Sequence, residues 1–197
     1  DPRVQVLRRE AGPLTPHPMT QRPSLHVAVV MRRETLDNRW QPHRWVLHEV
    51  VPDEASFGSE PRLLLDDGHE QRWLHPGLRV QLHRDDAEGY YLNATSPAPC
   101  WFVLWRMHEQ APGAEHDWAV PVEVSLSYHD AGRWLDAQET VEQVPAPSQV
   151  LSQLATFAQT HWTPEPKKRQ RPQSFQPLTD RFGQPARVST DKSHGSQ

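Results

Sequence analysis

The residues of this chain best suited to chemistry are twelve histidines, a lone cysteine and the acidic run His83-Arg84-Asp85-Asp86-Ala87-Glu88. Clustered carboxylates beside an imidazole suit a hard cation or a general base. The run lacks the spacing of a calcium loop, and Asp and Gly also serve backbone needs, so a solvated hairpin turn is the expectation here. His43 and His48, with Glu49 beside the second, flank a strand-like run. Five residues apart, they fall on opposite faces of a regular strand, which argues against joint zinc ligation. Cys100 could act as a thiolate nucleophile. It lies, however, between Pro99 and Trp101 at the mouth of an apolar run, where a free cysteine serves as a small hydrophobe. The sequence contains no Gly-x-Gly-x-x-Gly, no Gly-x-x-x-x-Gly-Lys-Ser/Thr and no Gly-x-Ser-x-Gly, so the usual phosphate cradles and the nucleophile elbow are missing. The chain therefore reads as a non-enzyme holding no metal or cofactor of its own.

Two features point instead to contacts. Pro166-Lys167-Lys168-Arg169-Gln170-Arg171-Pro172, followed by Ser174-Phe175, places four cations in five positions beside an aromatic. Lys167, Lys168, Arg169, Arg171 and Phe175 are the candidate partner-binding residues, set against the alternative of a solubilising tail. Trp40, Trp45, Tyr90 and Tyr91 are candidates for an aromatic platform, set against a role in the core. A Trp ring has roughly 200 Å² to bury and an N–H that wants a partner.

These residues must be positioned by one body. All eight Trp lie between residues 25 and 162, which predicts a well-packed domain over 25–162. It is preceded by a Pro-rich disordered or extended arm, 1–24, and followed by a basic, Pro-rich tail, 163–197. The body carries ten Lys/Arg against twenty Asp/Glu, and the tail seven against three. Such asymmetry favours self-association or docking. A single cysteine excludes an intrachain disulfide and an all-cysteine zinc or iron–sulfur site. No apolar run reaches the roughly 18 residues of a membrane span and nothing resembles a signal segment, so a reducing cytoplasm and no membrane are expected.

Within the body, Leu25–Met31 and Arg44–Val51 read as strands. Arg62–Leu65 and Gln71–Leu74 flank Asp66-Asp67-Gly68 as a hairpin. Pro76-Gly77 predicts a break, after which Leu78, Val80 and Leu82 alternate with polar residues. Asp85–Gly89 predicts a turn into an extended Tyr90–Thr95. Trp101–Met107, apolar on both faces, predicts a central strand, and Val120–Tyr128 alternates again. Ser127-x-x-Asp130 predicts the cap of a short helix bearing Trp134 and Leu135. Val150, Leu151, Leu154, Phe157, Ala158 and Trp162 trace a helical stripe after Pro147-Ser148. The expected fold is mainly β: about eight short strands in a small antiparallel sandwich or barrel, with two C-terminal helices and disordered ends.

Several separate blocks carry a resemblance. Asn38-Arg39-Trp40-x-x-His43-Arg44-Trp45, Asp85-x-Ala87-Glu88-Gly89-Tyr90-Tyr91-Leu92-Asn93-x-Thr95-Ser96-Pro97, Trp101-Phe102-Val103-x-Trp105-Arg106-Met107, Val124-x-x-Ser127-Tyr128-x-x-Ala131-x-Arg133-Trp134-Leu135-Asp136 and Glu165-Pro166-Lys167-Lys168 with Ser174-Phe175 resemble a proteobacterial family of unknown function. Its members are commonly encoded beside molybdenum-dependent formate dehydrogenase genes. Some relatives are named for molybdopterin guanine dinucleotide synthesis, but the Gly-rich nucleotide loop of those enzymes has no counterpart in Ala28-Val29-Val30-Met31-Arg32-Arg33. The resemblance implies a non-catalytic accessory factor or small subunit of a cytoplasmic formate dehydrogenase system, its partners that enzyme's subunits. The alternative is an aromatic-lined module for a pterin or nucleotide ligand; nucleic acid is the less favoured partner.

Overall fold

The computed structural model describes residues 22–113 and 116–166. Among them lie seven strands and three α-helices. In chain order these are β1 Ser24–Thr35, β2 His43–Pro52, β3 Arg62–Asp66, β4 Glu70–Gln81, α1 Ala87–Ala94, β5 Cys100–His108, β6 Trp118–Ser125, α2 Tyr128–Asp136, β7 Thr140–Pro145 and α3 Ser148–His161. The strands form two antiparallel sheets, ordered β2-β1-β4-β3 and β6-β5-β7. The chain is therefore mainly β, in keeping with a small sandwich, and Trp101–Met107 is the central strand of its sheet.

Alternation along the strands builds the core. Val27, Val29 and Met31 of β1 share one cluster with Trp101, Val103 and Trp105 of β5, and with Leu154 and Ala158 of α3. The opposite face of β1 is also covered: Ala28 and Val30 pack with Leu74, Val51 and Phe57, the last from a single 3-10 turn at Ala55–Phe57. This double burial explains why Leu25–Met31 reads as a nearly unbroken apolar run. Helix α2 covers Cys100, Phe102 and Val141 of the second sheet with Ala131 and Trp134.

Three expectations need correction. Pro76-Gly77 does not end a strand. Residues 76 and 77 stand opposite Ala28 alone, as a bulge inside β4, with Gly77 at φ 83° and its N–H donating to Asp53 Oδ2 at 3.0 Å. A bulge is where an interior strand tolerates proline. Tyr90–Thr95 is not extended. The acidic run forms a 3-10 turn at Arg84–Asp86 that leads into α1, a further helix beside the two expected C-terminal ones, α2 and α3. Strand β7 was not expected at all; seven strands lie among the described residues, close to the about eight expected. Between platform and core, the two readings left open for Trp40, its 91% exposure sets it outside the core.

A division of the chain falls between Thr163 and Pro164, and β1 begins at Ser24, inside the expected arm. The expectations of disorder for the ends fall mostly on residues 1–21 and 167–197, outside the described residues.

Candidate functional site

The β1–β2 hairpin ends in a tip, residues 36–42, that carries Trp40. Its stem is held by the cross-strand pair Glu34–Arg44, whose guanidinium donates to Glu34 Oε2 from Nη2 at 2.6 Å and from Nε at 3.2 Å. Arg32 adds a bond to Glu34 Oε1 at 2.5 Å. The Arg44 bond first, and then Arg32, holds the Glu34 carboxyl below its ordinary range. Above the stem, Leu36 N donates to Pro42 O at 2.7 Å, and Asn38 Oδ1 accepts from Trp40 N at 2.9 Å. The β3–β4 turn buttresses the tip through Thr35 N to His69 O at 2.9 Å. Asp67 stabilises that turn by accepting from the backbone N–H groups of His69 and Glu70, which lower its carboxyl's pKa. Bonded backbone on three sides thus presents one large apolar ring to solvent.

The other three rings of the expected platform sit elsewhere. Trp45 is half-buried and packs with the Trp73–Trp118 pair, whose centroids are 5.3 Å apart. Tyr90 is buried against Phe157 at 5.8 Å; its hydroxyl accepts from His83 N at 3.0 Å, and burial pushes its pKa up to about 12. Tyr91 lies against Trp162 at 4.7 Å. Trp45, Tyr90 and Tyr91 all pack in or against the main core cluster, whereas Trp40 stands exposed at the hairpin tip.

The remaining blocks are occupied with holding the fold. A Cβ built on Gly89 would overlap Ser127 Oγ, so α1 and the start of α2 meet at a distance that only glycine allows. Ser127 caps α2 by accepting from His129 N at 3.2 Å. Asn93 is fully buried. Its Nδ2 donates to Cys100 O at 2.8 Å and Leu126 O at 2.9 Å, and its Oδ1 accepts from Cys100 N at 3.0 Å. One side chain thus ties α1 to the start of β5 and the end of β6. Glu142 of β7 accepts from Leu47 N of β2 at 2.8 Å and from Trp105 Nε1 at 2.7 Å, joining the two sheets. Sequence reading missed Asn93 and Glu142, because a polar residue inside an apolar setting carries no periodic signal. Gly89 inside a run of helical length was the one available hint.

Burial raises the pKa of the Cys100 thiol, which lies in the α2-covered layer as a small hydrophobe. His43 lines a small hollow with Arg33 and His69, whereas His48 Nδ1 lies 3.2 Å from Arg32 Nη1. Burial lowers the pKa of both imidazoles, with Arg33 adding to the effect at His43 and Arg72 at His48. Among the described residues no group of three or more His, Cys, Asp or Glu is placed to hold a metal, and no helix is long and apolar enough to cross a membrane. Lys167, Lys168, Arg169, Arg171 and Phe175 lie outside the described residues.

A family model described as a protein of unknown function (DUF3305) matches residues 26–171. No curated protein and no solved structure matches the chain.

Proposed function

The chain belongs to the DUF3305 family, and on that premise we propose that it is a non-catalytic accessory factor that works through protein–protein contacts. The observation that carries this reading is Trp40, 91% exposed at the end of a braced hairpin. An exposed Trp held on ordered backbone has the character of an interface anchor, because burying it in a partner's pocket releases much water at little entropic cost. Arg39 precedes it and Asp37 lies in the same tip, so an apolar pocket with a rim of mixed charge is the matching surface. The resemblance of the same block to a family encoded beside molybdenum-dependent formate dehydrogenase genes supplies the partner: the subunits of that cytoplasmic enzyme, during its maturation or assembly.

The test is co-purification of formate dehydrogenase subunits with the tagged full chain. Trp40→Ala should lose most of the captured enzyme while leaving the melting temperature unchanged, since the ring contributes nothing to the core. Undiminished capture by the variant would remove Trp40 as the anchor. No capture by the wild-type chain would remove the formate dehydrogenase assignment.

A further inference from the structure

A second surface lies apart from the hairpin tip, between α3 and the start of β1. A cleft of about 510 Å³ runs there over Leu25, Leu82 and Phe157, with Ser152, Thr156 and Thr160 along its helical wall. It continues into a further space of about 580 Å³ through the shared residues Pro23, Leu82, Phe157 and His161. Both volumes are in the range of small-molecule sites.

The helical wall is less polar than its sequence suggests. Ser152 Oγ donates to Ser148 O at 3.0 Å, Thr156 Oγ1 to Ser152 O at 2.9 Å, and Thr160 Oγ1 to Thr156 O at 2.8 Å. All three hydroxyl protons are used inside the helix, which leaves Gln153 and His161 as the side-chain donors of this wall. A peptide laid there would bring backbone groups that the apolar floor leaves unpaired, at a cost an alkyl chain does not incur.

The far end differs. Arg22, His83, Arg84 and His161 gather there around one carboxylate, Asp85. Arg22 Nη1 lies 3.4 Å from His83 Nδ1, and neither Arg22 nor Arg84 forms a salt bridge among the described residues. An apolar trough that leads to two exposed guanidiniums matches a molecule with an apolar body and one anionic end.

We propose that this cleft binds a straight-chain aliphatic carboxylate, its alkyl chain along α3 and its carboxylate at Arg22 and Arg84. The assignment goes beyond the contact role of Trp40 and does not depend on it.

The full chain is titrated with decanoate, followed by calorimetry and amide NMR shifts. Saturable binding at one site is expected, with shifts centred on Leu25, Leu82 and Thr160. Decan-1-ol, which keeps the chain and lacks the charge, should bind about tenfold more weakly, the scale of two solvent-exposed ion pairs. The double variant Arg22→Gln/Arg84→Gln should weaken decanoate by a similar factor and leave decanol unchanged. Thr156→Phe, made at an exposed position, should fill the trough and abolish both. Absence of saturable binding, equal affinity for decanoate and decanol, or binding that survives Thr156→Phe would each overturn the proposal. Loss of formate dehydrogenase capture by Thr156→Phe, with wild-type capture intact, would also overturn it, by making the cleft a protein contact while leaving the accessory reading standing.

Discussion

His75 makes acid sensitivity a quantitative test of the core. Its side chain is 4% exposed, its ring lies 5.1 Å from that of Trp118, and its Nε2 has no hydrogen-bond partner among the described residues. Burial, helped by His108 nearby, lowers its pKa from 6.5 to about 4. The folded protein therefore keeps a neutral imidazole where the unfolded chain takes up a proton. Stability from this group is fully present above pH 6.5 and is lost as pH falls from there towards 4, because in that window the unfolded state binds more protons. A gap of about 2.5 pH units at 1.36 kcal/mol each comes to roughly 3 kcal/mol. That is a large share of the roughly 5–15 kcal/mol that holds a domain together. The perturbation is His75→Phe, which keeps a ring against Trp118 and removes the titration. The assay is urea unfolding at several pH values between 7 and 4, for both proteins. Wild type should lose roughly 3 kcal/mol more than the variant across this interval, most of it between pH 6.5 and 4. The carboxylates and the remaining histidines are common to both chains and cancel in the difference. Parallel stability curves would refute the reasoning and place His75 in contact with water.

Two further perturbations address the joints between elements. Gly89→Ala should destabilise by about 1–2 kcal/mol, the overpacking against Ser127 exceeding the roughly 1 kcal/mol that alanine gains over glycine in a helix. The double variant Gly89→Ala/Ser127→Gly should be more stable than Gly89→Ala alone, which thermal melts would show as a favourable coupling. Asn93→Ala strands the N–H and C=O of Cys100 and the C=O of Leu126, and should cost about 2–4 kcal/mol in denaturant unfolding. Asn93→Asp should not rescue it, since a carboxylate cannot donate to the two carbonyls.

Much of the fold was legible because its signals are short-range. Leu25–Met31 follows from a β-branched apolar run of strand length, the Asp67-Gly68 hairpin from a turn that requires positive φ, as at Gly68 with φ 84°, and the stripe of α3 from a period of 3.6. The misreadings share a different cause. In α1 the buried positions are Ala87, Gly89, Tyr90 and Asn93. Glycine, tyrosine and asparagine are indifferent or poor helix formers, and the contacts that stabilise them come from outside the helix: Phe157 of α3, Cys100 of β5, Leu126 and the cap of α2. Pro76-Gly77 carries the chemistry of a turn and is used as a bulge, a choice that depends on the strand opposite. In β7, the partly buried Glu142 interrupts the apolar alternation, because it is the acceptor that joins the two sheets.

The candidate site was legible in residue type and not in exposure. Trp40 and Trp45 belong to one sequence block, and nothing in their spacing separates an anchor from a core ring. What separates them is the length of the hairpin. Arg44 pairs with Glu34 across the stem, Trp45 follows within β2 and reaches back to Trp73, whereas Trp40 lies beyond the last cross-strand pair, Thr35 with His43. A ring past the end of the ladder has no sheet face to pack on. Its backbone is nonetheless held by Asn38 and Pro42, so the ring sits on a braced loop. Braced backbone beneath an unburied Trp is the combination that gives a contact residue its energy: the apolar area remains to be buried, and little of the ordering cost remains to be met.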